Sequence, residues 1–260
     1  MARSPIQQVD PHPSQVPLPT MYDLPSEDPE EPGLPDEFHL WQAELLSYTF
    51  SPKNYPADRI FVASDLNLYY DPQHTRWYKR PDWFAVVGVS RFYEGRDLRL
   101  SYVIWQEKVS PIVAVELLSP STRQDDLGHR QCRGAQPTKW DVYEQILSIP
   151  YYILFDRYTD ELRAFELIAN RYQPLDLSER KIWIPPLQMG LALWQGTFRG
   201  QDRPWLRWYD AEGNWLPTEA EQERQRAEQE RQQKELALQR AEQLAAKLQA
   251  MGVDPAPLED

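Results

Sequence analysis

One cysteine, Cys132, stands in 260 residues. It excludes an internal disulfide and fits a reducing, cytoplasmic setting. No apolar run approaches the roughly 20 residues a membrane helix needs. Residues 1–30 hold no charged stretch followed by an apolar one, so no signal peptide is expected and the chain reads as soluble and intracellular. Excess positive charge is missing too. The net charge is −12, which excludes a general nucleic-acid coat protein. No glycine-rich phosphate loop occurs. Ser90, Ser119 and Ser121 lack a glycine-flanked elbow and a His–acid partner, which argues against serine-nucleophile chemistry. His12 and His39 are isolated in the sequence, and neither is expected to bind a metal.

What is present divides unevenly. Residues 1–40 carry −7, residues 218–251 carry −1 and residues 252–260 carry −3, leaving 41–217 at −1. The acidity of the whole chain therefore says little about the body. Residues 1–38, rich in proline and acid, read as a disordered arm. Residues 39–217 read as the folded domain, 218–251 as a long helix and 252–260 as a flexible tail.

The body is organised around Pro111-Ile-Val-Ala-Val-Glu-Leu-Leu-Ser119, an apolar run that reads as a buried strand. Glu116 lies inside it. An unpaired carboxylate there would cost several kcal/mol, so Glu116 needs a metal, a cation or a wet cleft. Upstream, Leu40, Trp41, Glu44, Leu45 and Tyr48 recur at helical spacing within 39–50. Two readings of Glu44 stand: a surface carboxylate, or an accessory acid aimed at the active site. Residues 59–70 alternate as a strand. Arg80-Pro81-Asp82 opens a second strand over 83–89, and residues 97–105 alternate as a third. The polar stretch 123–136, with Arg123, Arg130 and Arg133, reads as a mobile loop at the cleft.

A helix is expected from Pro137 to about Ser148, with Trp140, Tyr143, Ile146 and Leu147 as its apolar stripe. Lys139 projects to the same side, either toward the core or snorkelling to water. The strand Pro150–Asp156 completes a βαβ unit and implies a parallel central pair. Further β structure is expected at 162–168, at Tyr172 and at 191–198. The aromatics Trp205, Trp208, Tyr209 and Trp215 read as domain packing. In the last helix, Ala237, Ala241, Leu244, Leu248 and Met251 fall at 4-3-4-3 spacing. That is a coiled-coil seam, and the helix is either a homodimerisation arm or a solvated single helix.

Asp82, Glu116 and Lys139 form the chemical trio. Two carboxylates on neighbouring strands can hold a divalent cation through hard oxygens. Such a cation polarises a phosphoryl oxygen and acidifies a bound water. A nearby ammonium can orient that water or neutralise charge on the phosphate. The alternative is a buried ion pair that serves only the fold.

The run Glu116-Leu-Leu-Ser-Pro-Ser-Thr122 resembles the Uma-two family of the PD-(D/E)XK, restriction-endonuclease-like superfamily. So do Arg80-Pro81-Asp82, Asp126-Leu127-Gly128, Lys139-x3-Tyr143 and Tyr151-Tyr-Ile-Leu-Phe-Asp156. The resemblance covers about residues 40–215. It implies an α/β fold with a mixed β-sheet flanked by helices, to which the long C-terminal helix is appended. It departs from the superfamily pattern at Leu118, where the strand lysine of E-x-K would stand. The resemblance implies that Lys139 supplies that cation and that the Leu117 carbonyl is a further metal ligand.

The leading expectation is a Mg2+- or Mn2+-dependent DNA endonuclease. Asp82 and Glu116 hold the metal, Lys139 positions the water, and Glu44 or Asp65 assists. The alternatives are a catalytically silent nuclease-fold module that binds nucleic acid or protein, and a structural role centred on the C-terminal helix. No membrane partner is expected.

Overall fold

The computed structural model describes residues 36–119, 123–128, 136–177 and 179–251. The chain begins with α1 (Glu37–Thr49), followed by β1 (Ile60–Ala63), β2 (Leu68–Tyr69), β3 (Tyr78–Lys79), β4 (Trp83–Val87) and β5 (Tyr102–Val103). A short α2 (Ile104–Glu107) leads to β6 (Val113–Leu117). Next come α3 (Arg123–Asp126) and α4 (Lys139–Asp141), the latter continued by a π-helical turn over Val142–Ile146. β7 (Tyr151–Asp156), β8 (Glu161–Ile168), β9 (Arg171–Pro174), β10 (Lys181–Ile184), β11 (Met189–Phe198) and β12 (Gln201–Tyr209) precede the long α5 (Glu219–Ala250).

The central sheet has six strands in the order β1-β4-β6-β7-β8-β9. Its only parallel pair is β6 with β7, in register Glu116 to Leu154 and Leu117 to Phe155. The α4 crossover dictates this, since a hairpin cannot join parallel neighbours. Both sheet faces are covered, which is why β6 and β7 are apolar on both sides. Val113, Val115 and Leu117 face one core with Leu45 and Leu46 of α1 and Trp205 and Trp208 of β12. Ala114 and Leu118 face a second core with Phe84, Tyr143, Tyr152 and Leu154. The pleat puts Glu116 on the second face, under α4.

Strands β10–β12 form a separate antiparallel sheet against the first core. The buried Gln42 side chain locks α1 to it, donating to the Leu206 carbonyl and accepting from the Leu206 N–H, both at 2.8 Å. Trp205 and Trp208 are buried here, whereas Tyr209 and Trp215 are partly exposed.

Several local expectations are corrected. The strand over 59–70 breaks at Asp65, whose φ of 51° turns the chain so that β2 joins a small third sheet, β3-β2-β5. The Asp65 N–H donates to the Pro81 carbonyl at 3.0 Å, and its carboxylate holds Arg80. The strand over 97–105 shrinks to Tyr102–Val103. Leu98 and Leu100 alternate correctly but meet no sheet face, and they are 74% and 95% exposed. The helix expected from Pro137 is capped instead by Thr138, whose side chain accepts from the Asp141 N–H. Its π-helical turn widens the spiral, so Ile146 leaves the apolar stripe and is exposed, while Val142 and Tyr143 are buried. Strand β10 was not anticipated.

α5 starts from a capping box between Thr218 and Glu221 and contains no buried residue. Among the described residues no helix is long and apolar enough to cross a membrane. The expected arm, apart from residues 36–38, lies outside the described residues, as do the tail 252–260, Cys132, His12, Ser121, Arg130 and Arg133.

Candidate active site

The site lies where β6 ends and β4 begins. Antiparallel pairing of Trp83 with Val115 brings Asp82 beside Glu116 on one face of the sheet. The Asp82 N–H faces Glu116 Oε2 at 3.3 Å, and Asp82 Oδ2 accepts from the Leu117 N–H at 2.6 Å. Each acid is thus held by the backbone next to the other. Asp82 is half-buried, whereas Glu116 is fully buried.

α4 carries the cation. Lys139 Nζ donates to Glu116 Oε2 at 2.9 Å and lies 3.0 Å from Asp126 Oδ1. One turn on, the Tyr143 hydroxyl donates to Glu116 Oε1 at 2.9 Å. The Lys139-x3-Tyr143 spacing places both groups on one helix face. Burial lifts the Glu116 carboxyl well above the usual carboxylate range; Lys139 draws it down, and Asp82 and Asp126 push it further up. Burial opposes the charge on Lys139, but Asp126, Glu116 and Asp82 outweigh it and hold the ammonium well above its ordinary range. We take Lys139 as charged, because three carboxylates surround it.

Asp65 borders this group. Burial raises its pKa despite the Arg80 guanidinium at 2.6 Å, and the charges of Asp82 and Lys139 also reach it. Glu44 does not converge here. Its carboxylate pairs with Arg199 at 2.7 Å, in the turn of the β11–β12 hairpin. The Arg199 guanidinium thus answers the charge of Glu44, which is 27% exposed.

His39 is the residue that sequence reasoning discounted. It is buried, with Nδ1 at 2.9 Å from Asp36 Oδ1 and Nε2 at 3.0 Å from the Leu117 carbonyl. Both partners accept only, so the ring must donate twice and carry a charge. Burial works against that charge, but the Asp36 and Asp82 carboxylates outweigh it and raise the pKa above 6.5. Asp126 was visible only within a motif. Its Lys139 contact depends on α3 and α4 meeting, and nothing in the local pattern signals it.

Among the described residues no three His, Cys, Asp or Glu side chains form a ready-made metal cage. The donors that fit a hard cation are the Asp82 and Glu116 carboxylates and the Leu117 carbonyl. Two carboxylates with water and substrate oxygens are a normal Mg2+ environment. A groove of about 540 Å3 lined by Ser51, Lys53, Trp183, Asp210 and Glu212 lies elsewhere.

No curated protein matches the chain. A solved structure titled as that of a "putative nuclease belonging to DUF820" from Anabaena variabilis matches at 13% identity and a TM-score of 0.41. The match covers 60% of this chain and 76% of that one. The sequence model of Uma2, described as "Putative restriction endonuclease", matches residues 15–197. With most of the chain inside that match, including β4, β6 and α4, the protein belongs to the Uma2 family.

Proposed function

We propose that the protein is a metal-dependent endonuclease hydrolysing DNA phosphodiester bonds, with residues 39–217 as the nuclease domain. The observation that carries this reading is the meeting of Asp82 and Glu116 on one face of adjacent strands, with the Lys139 ammonium 2.9 Å from Glu116. Asp82, Glu116 and the Leu117 carbonyl would hold Mg2+ or Mn2+. When bound, such an ion supplies Lewis-acid polarisation of the phosphoryl group and acidifies water. Lys139 donates from the helix side to the attacking water or to the charge growing on phosphate. Tyr143 fixes the Glu116 carboxylate so that its second oxygen stays directed at Lys139. His39 holds the Leu117 carbonyl from behind the strand. A cytoplasmic setting fits the lone Cys132, and α5 is proposed as a homodimerisation arm.

The test is cleavage of plasmid DNA with Mg2+ or Mn2+ by wild type, Asp82→Ala, Glu116→Ala and Lys139→Ala. Wild type should cut, and each variant should lose at least about 100-fold in rate. Wild-type protein that binds DNA but does not cut it with either metal supports the second reading, a silent binding module. The favouring observation for that reading is the closed Lys139–Glu116–Asp126 ion-pair cluster.

A further inference from the structure

A pair of guanidiniums stands at the end of β7, on the α1 side of the sheet, and takes no part in the chemistry above. Arg157 follows the last residue of β7, and Arg203 lies on β12. Both pack on the Phe38 ring, with guanidinium carbons 5.5 and 4.3 Å from its centroid. Like charges do not gather on one ring unless something holds them. Arg157 is held by Asp36 at 2.7 Å. Arg203 donates only to main-chain carbonyls, those of Pro204 at 3.4 Å and Arg157 at 3.2 Å, and makes no carboxylate pair among the described residues. Burial and the charge of Arg157 both lower its pKa, while Asp160 and Asp36 act in the opposite sense. Its charge is answered only in part.

The neighbourhood suits a nucleic-acid strand. Tyr158 is 62% exposed, and the Arg157 guanidinium lies 4.6 Å from its ring centroid. Arg123, 44% exposed, adds a third guanidinium to the rim, its charge paired with Asp156. Exposed aromatic rings interleaved with guanidiniums can stack bases and neutralise phosphates. A relay of contacts links the rim to the strand that carries Glu116. Arg157 bonds Asp36, Asp36 bonds His39, and His39 bonds the Leu117 carbonyl. Leu117 pairs with Phe155, two residues before Arg157, so the rim begins about 7 Å further along the strand direction.

We propose that Arg157 and Arg203, with Tyr158 at their edge, form the subsite that grips the DNA backbone next to the cleaved phosphate. This rests on the nuclease reading and names how the substrate is held. Arg203 neutralises one phosphate, and Arg157 orders the rim by tying it to Asp36.

The test measures binding of a fluorescent DNA duplex by anisotropy in EDTA over a salt series, alongside KM and kcat for cleavage with Mg2+. Arg203→Gln should weaken binding about 3- to 10-fold and lower the slope of log affinity against log salt by about 0.9, the value of one lost phosphate contact, and Arg157→Gln should weaken binding with a smaller change of slope, since its charge is already paired with Asp36. For Arg203→Gln, KM should rise while kcat is kept. Arg203→Lys should retain the slope, which separates lost charge from a damaged fold, and the remote Arg231→Gln on α5 should match wild type. If the arginine variants keep wild-type affinity, slope and KM, this subsite is refuted while the nuclease reading stands. If wild type neither binds nor cuts DNA, the nuclease reading fails and takes this inference with it.

Discussion

Glu116 is the residue on which the chain spends stability. It is fully buried, shares the Lys139 ammonium with Asp126 and lies beside Asp82. Replacing it with glutamine removes one of the crowded acids while an amide can still accept from Lys139 and donate to the Tyr143 oxygen. Metal-free Glu116→Gln should therefore be more stable than wild type by about 1 kcal/mol, as is common when a functional acid is neutralised. Thermal unfolding reads this directly, and an unchanged or lowered midpoint contradicts it. The same variant should lose the rise in midpoint that Mg2+ or Mn2+ gives wild type, since a ligand stabilises only the state that binds it. Glu116 was legible in the sequence because a lone acid in an apolar run demands a partner. His39 was not, because its acceptors come from Asp36 in the cap and from Leu117, 78 residues away.

At the scale of elements, Arg207 decides how α5 is attached. It is 4% exposed and donates through Nε and Nη2 to the Leu216 carbonyl, at 3.1 and 2.9 Å. Nη1 reaches Glu221 at 3.1 Å, and its guanidinium packs 4.4 Å from the Trp194 ring centroid. Arg207→Ala strands a carbonyl and a carboxylate and should cost about 2–4 kcal/mol in urea unfolding. The contact also carries a pH dependence. Burial raises the Glu221 pKa, but Arg207 and the Thr218 cap outweigh it and set it below the ordinary 4.5. Its contribution is therefore complete above 4.5 and is lost as pH falls through the lower, folded value. Acid unfolding of Glu221→Gln should be flatter than that of wild type in that window. The π-helical turn after α4 teaches a related lesson. A stripe counted at ordinary helical spacing included Ile146, and one wide turn moved it to solvent.

Across the whole molecule, body and C-terminal helix are separable. α5 has no buried residue, and Leu244 and Met251 of its seam are 60% and 76% exposed. Deleting residues 223–260 should lower the far-ultraviolet helix signal yet shift the thermal midpoint of the body by less than about 2 °C, because exposed positions contribute little. If α5 joins two copies, the same deletion should halve the mass in sedimentation. The two cores on either side of the six-stranded sheet, by contrast, should unfold together, since β6 and β7 supply residues to both.

The amino-acid order by itself determined that β6 and β7 are buried, that a crossover makes them parallel and that Glu116 falls in a strand needing a partner. These are local properties of apolar runs and their spacing. That Asp126 shares the Lys139 ammonium with Glu116, which histidine backs Leu117 and which arginine takes Glu44 were decided only by the tertiary structure. Loop closure between distant segments sets those pairings, and the charge of a side chain carries no record of the distance at which it will be answered.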